Sequence, residues 1–165
     1  METDNKVKID LRPPYVFAYY SESSEFGIAD IVYYSKQDML LHYRHKASEW
    51  SFVNENNKDE ESVFAIADND VNALQEVFGL MIDAYISYLK RGGEEWFVCD
   101  GSFCTVICGR KRVHFEGPSI EPFCSFENMI YQTLIIDDER ERPDYEELRK
   151  QLPIVKERLK NLLTE

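Results

Sequence analysis

The chain has 165 residues, 44% of them hydrophobic and 13% aromatic, and carries 31 Asp and Glu against 19 Lys and Arg, a formal net charge of -12. That length suits one domain with a sizeable core, and the apolar content excludes a disordered chain, which could not bury enough surface to offset its lost conformational entropy. The acid surplus opposes phosphate backbones and anionic lipid, so the expected partner is a basic protein rather than nucleic acid or membrane.

The start, Met1 to Lys6, is polar with no signal-like apolar stretch behind it, and nowhere do about 18 apolar residues run together. A cytoplasmic protein is expected. Its cysteines, Cys99, Cys104, Cys108 and Cys124, are then expected as reduced thiols, since a core of this size needs no staples.

From Val7 to Ala67 the pattern is that of an antiparallel meander. Pro13 and Pro14 precede a strand over Tyr15 to Tyr20, and a turn-prone gap leads to a second over Ile28 to Tyr34. Met39 to Lys46 is a third, where Leu41, Tyr43 and His45 alternate with His42, Arg44 and Lys46, the period of two that separates a packed face from a wet one. Trp50 to Val53 and Ser62 to Ala67 read as a further pair around a polar loop containing Asp59, Glu60 and Glu61.

A helix follows over Val71 to Lys90, with Asp70 or Asn72 as N-cap and apolar residues at three- and four-residue spacing. Lys90-Arg91-Gly92-Gly93 ends it, placing cations on the negative end of the helix dipole and glycine at the cap. Trp96 to Cys99 and Ser102 to Cys108 flank Asp100-Gly101, a hairpin signal, and a second turn at Gly109-Arg110-Lys111 leads to Arg112 to Phe115. Ser125 is expected to cap a short helix carrying Phe126, Met129, Ile130 and Leu134, while Leu134 to Ile136 fits helix or strand. A charged linker spans Asp137 to Pro143. Asp144 then caps a terminal helix whose Tyr145, Leu148, Leu152, Val155, Leu159 and Leu162 form a coiled-coil-like seam, with Pro153 predicting a kink or a break.

The sum is an α+β domain over 1–165: a mostly antiparallel sheet of about seven or eight strands packed against one long central helix, as a core over 1–136, with linker and C-terminal amphipathic helix over 137–165. No catalytic motif and no phosphate-cradling glycine loop occurs. Cys99, Cys104, Cys108 and His114 lack the paired spacing of a zinc knuckle, so no metal and no cofactor is expected. His42 and His45, three apart on a strand, fall on opposite faces. Arg110-Lys111-Arg112 is too small a basic island for a duplex.

These features point to a non-enzymatic, acidic protein-binding module, an inhibitor or immunity-type protein that occludes a basic, nucleic-acid-binding partner. Its expected contact residues are Asp59, Glu60, Glu61, Glu94, Glu95, Asp137, Asp138 and Glu139, with Tyr33 and Tyr34 supplying rings suited to interfaces. The alternative is a chaperone or adaptor that holds a peptide or dimerises through strand faces or through residues 144–165. An enzyme without recognisable motif stands third.

Overall fold

Alternating burial organises the chain from its first strand. The computed structural model describes residues 15–23, 28–46, 60–92, 102–116, 121–137 and 140–164. β1 (Tyr15–Ser23), β2 (Ile28–Ser35), β3 (Leu41–Lys46) and β4 (Glu60–Phe64) pair in succession as an antiparallel meander, β4 starting two residues earlier than the expected strand, at Glu60 in the stretch expected as loop, and pairing with β3. A helix, α1 (Asp68–Lys90), then returns the chain to the far side of β1, where β5 (Ser102–Cys108) pairs with it and β6 (Lys111–Glu116) completes a hairpin. The spatial order is β4-β3-β2-β1-β5-β6, antiparallel throughout. Six strands therefore stand among the described residues instead of seven or eight. The expected strands at 50–53 and 96–99 and the Asp100-Gly101 turn lie outside those residues.

Period-two burial divides the sheet into two faces. Phe17, Tyr19, Val32, Tyr34, Leu41, Tyr43, Cys104, Val106, Val113 and Phe115 join one core with all three helices. The opposite parity carries a smaller buried cluster of Tyr20, Ala29 and Ile31, with Tyr33 packed on it. No described helix covers that second face. His42 and His45 do fall on opposite faces, as the alternation requires.

The helical layer differs in balance from the expected one long central helix with flanking C-terminal helices. α2 (Phe123–Thr133) and α3 (Tyr145–Thr164) pack with α1 in one core, so the 20-residue α3 is as much a part of the layer as the 23-residue α1. The seam residues Leu148, Leu152, Val155 and Leu159 are buried in that core. Full burial of such a side chain contributes roughly 1.5–3 kcal/mol, which makes the amphipathic face the main reason α3 docks. The segment 137–143 is also more than a linker. Asp137 and Arg140 exchange backbone hydrogen bonds, and the Arg140 guanidinium donates to the Tyr131 and Ile135 carbonyls at the end of α2.

Three terminal details correct the sequence reading. Asp70 does not cap α1: Ala67 is the N-cap, with no side-chain bond, and Asp70 is instead turned into the α1–α3 contact. Ser125 does not cap α2, which begins at Phe123 after Pro122. Pro153 does not divide α3, which runs as one helix through it, because the exposed proline faces solvent while Leu152 and Val155 on either side of it stay docked. Other caps follow expectation: Gly92 takes φ +84 after α1, and Asp144 Oδ1 accepts the Glu147 amide at 3.1 Å. Leu134 to Ile136 is neither helix nor strand, yet Leu134 is fully buried.

Candidate functional site

One cross-strand row gathers the polar side chains of the helix-facing surface. Register places Cys104 opposite Ser21, Ser21 opposite Asp30, Asp30 opposite His45, and His45 opposite Glu60, so five strands contribute one residue each. All five lie near one end of the sheet, where β1 and β3 finish and β2, β4 and β5 begin. Alternation delivers them to the same face as the core aromatics, and α2 reaches Cys104 and Ser21 from above.

The hydrogen bonds are closely matched. Asp30 Oδ1 accepts the Tyr43 hydroxyl at 2.7 Å and faces His45 Nδ1 at 2.8 Å. Glu127 Oε1, from α2, accepts both the Tyr19 hydroxyl and the Cys104 thiol at 3.0 Å. The Tyr131 hydroxyl donates to Ser21 Oγ at 2.6 Å. Tyr131 also meets the Tyr19 ring edge-on, with centroids 6.1 Å apart. Each donor thus has an acceptor, as buried polar groups require.

Burial and neighbouring charge keep the thiol and the phenols of this network protonated. Burial, reinforced by the Glu127 charge, pushes the Cys104 thiol well above its usual range. Burial likewise raises Tyr19, Tyr43 and Tyr131, with Asp30 adding to the rise of Tyr43. A reactive cysteine needs thiolate character and access, and Cys104 has neither.

The row also lacks the spacing of a nucleophilic centre. Ser21 and His45 are separated by the β2 strand, roughly 10 Å, with Asp30 between them, whereas a triad needs the histidine between hydroxyl and carboxylate. Cys104 stands three strands from His45. His114 bonds Thr105 on the opposite face at 2.8 Å, and His42 lies on that face as well, so no histidine faces the thiol. Cys104 and Cys108 are about 13 Å apart along β5. Among the described residues no group of three or more His, Cys, Asp or Glu could hold a metal ion.

The expected contact residues separate. Glu60 and Glu61 lie exposed on the outer strand β4, opposite His45 and Arg44, and no ion pair closes on either among the described residues. Asp137 sits in the turn between α2 and α3. Tyr33 lies on the face that no described helix covers, its ring 4.7 Å from Tyr15 and stacked on His42 at 4.6 Å. Tyr34 belongs to the core, 5% exposed and stacked on Phe17. Asp59, Glu94, Glu95, Asp138 and Glu139 lie outside the described residues.

Two things escaped the sequence reading. One is the row itself, which strand parity could reveal only once the pairing register was known. The other is visible without coordinates: from Asp59 to Leu89 the chain carries Asp59, Glu60, Glu61, Asp68, Asp70, Glu76 and Asp83 and no Lys or Arg. The fold supplies cations to three of these, as Arg149 meets Asp70, Lys156 meets Glu76 and Lys111 meets Asp83. Glu60, Glu61 and Asp68 receive none among the described residues.

No protein-family model matches the chain, and no curated protein matches it in sequence.

Proposed function

We propose that this chain is a non-enzymatic binding module that engages and occludes a basic protein surface, in the manner of an inhibitor or immunity protein acting in the cytoplasm. The observation that carries the reading is the uneven treatment of the acidic stretch 59–89. Where α1 packs against α3 and β6, its carboxylates at Asp70, Glu76 and Asp83 are neutralised from within; Glu60 and Glu61 on β4 and Asp68 are left to solvent. A field left open on one edge steers a cationic surface and raises its rate of encounter.

The polar row adds support from the other side. Its thiol and phenols are protonated and mutually satisfied, a pattern that specifies packing between sheet and α2 in place of activating a nucleophile. A target that normally holds nucleic acid would present the basic cleft such a surface fits.

Affinity capture tests the reading. The immobilised chain, incubated with native extract at low salt and eluted with a salt gradient, should release basic proteins, and a Glu60→Lys/Glu61→Lys/Asp68→Lys variant should retain far less. Capture that neither salt nor the charge reversals diminish would remove its basis.

A further inference from the structure

We propose that the outer edge of β4 receives an extended, basic segment of the partner as an added strand. The inference rests on the acidic-module reading above and deepens it from a charged surface to a defined mode of contact. Among the described residues β4 pairs only with β3, so every second backbone amide and carbonyl of Glu60–Phe64 points away from the sheet. An edge of this kind is a template for another chain. Natural edges are blunted by charge, proline, a bulge or shortness; β4 is five residues long, has no proline and keeps an unbroken register, and its only charges are the acidic Glu60 and Glu61, which guard it against an acidic strand but not a basic one. What it carries is Glu60 and Glu61, exposed, and Val63, 46% exposed.

Those three side chains state what the added strand must be. Glu60 belongs to the helix-facing parity and Glu61 to the opposite one, so a strand that sets acidic residues across from them would meet like charge on both faces. A basic strand is favoured on both. Run antiparallel, the matching segment places an apolar residue across from Val63 and two consecutive Lys or Arg across from Glu61 and Glu60: apolar, any, basic, basic. The other outer strand, β6, presents Lys111 and Arg112 and suits no such segment.

The test uses the full chain and a synthetic peptide, Ser-Thr-Val-Thr-Lys-Lys-Thr-Ser, with two versions N-methylated on one or the other alternate set of amides. All three carry the same charge, and only one set of amides faces β4. Binding is followed by amide shifts and by hydrogen exchange. The expected result is that one methylated version loses at least about tenfold in affinity, about two net hydrogen bonds, while the other binds like the parent. Protection of Glu60–Phe64 amides, and weakening by Glu60→Lys/Glu61→Lys with unchanged circular dichroism, complete that result. Equal binding of all three peptides would overturn strand addition while leaving charge-driven binding standing. Protection appearing at β6, or parent peptide failing to bind where a captured basic protein does bind, would overturn it in the same way. Failure of peptide and basic protein alike would remove both proposals.

Discussion

Arg149 holds Asp70 by two parallel bonds, Nε to Oδ1 at 3.0 Å and Nη2 to Oδ2 at 2.8 Å, joining the first turns of α3 and α1. The carboxylate is 7% exposed while the guanidinium reaches it from the solvent side at 55%. The contact repeats farther along, with Lys156 on Glu76 and the Arg91 guanidinium donating to the Leu162 and Leu163 carbonyls, so the two helices run side by side in the same direction. Removing the arginine strips the carboxylate of two charge-assisted bonds that the water admitted in its place only partly restores. Arg149→Ala should therefore lower the denaturation midpoint more than Lys156→Ala, whose partner is half exposed, and Asp70→Asn in the Arg149→Ala background should recover part of the loss. Equal effects of the two single substitutions, measured by chemical denaturation, would contradict this.

Pro153 lies inside α3 and is exposed. It withholds the amide that would bond the Arg149 carbonyl, a defect tolerated because Leu148, Leu152, Val155 and Leu159 dock the helix on both sides of it. Pro153→Ala should stabilise the protein by about 1–3 kcal/mol, the interior cost of proline less its restriction of the unfolded chain. Leu159→Ala should cost about 2–5 kcal/mol through the cavity it leaves. Urea unfolding of both variants checks the pair; a destabilising Pro153→Ala would show that the proline shapes the docked helix.

Burial separates the thiols. Cys104 is fully buried and bonded to Glu127, whereas Cys108 and Cys124 are partly exposed. In the folded protein at pH 8, alkylation followed by peptide mass spectrometry should modify Cys124 and Cys108 well before Cys104, which should react only on unfolding. Early modification of Cys104 would mean that the row is open to reagent.

The phenols give a second titration. Burial, with Asp70 adding and Arg149 opposing, pushes Tyr145 up to about 12 from its usual value near 10. Tyr19, Tyr43 and Tyr131 are raised as well. A raised folded-state value means that the folded chain binds the proton more tightly, so the stabilisation is whole below pH 10 and is lost as pH climbs from there through 12 and beyond. Absorbance at 295 nm should rise in two stages, the second coinciding with loss of circular dichroism. A single transition near pH 10 in a folded protein would refute the buried network.

Local signals in the sequence carried well into the structure where one residue type determines the geometry. Gly92 marks the end of α1, Asp144 caps α3, and the alternation in Leu41 to Lys46 separates His45 from His42 across the sheet. Where the outcome depends on a distant neighbour, they did not. Asp70 looks like a cap until Arg149 stands beside it, and Pro153 looks like a break until a buried seam holds both halves. The polar row was illegible because Ser21, Asp30, His45 and Cys104 become adjacent only through register. The acidic surface was half legible: the charge surplus was plain, but which carboxylates the fold neutralises depended on where Arg149, Lys156 and Lys111 come to lie.

The acidic edge of β4 is probed most directly by the association rate of a captured basic partner as a function of ionic strength, for the native chain and for Glu60→Lys/Glu61→Lys. For the native chain the rate should fall steeply from low to physiological salt, and for the variant it should be slower with a flatter dependence. Identical rates for the two chains at every salt concentration would contradict a steering role for that edge.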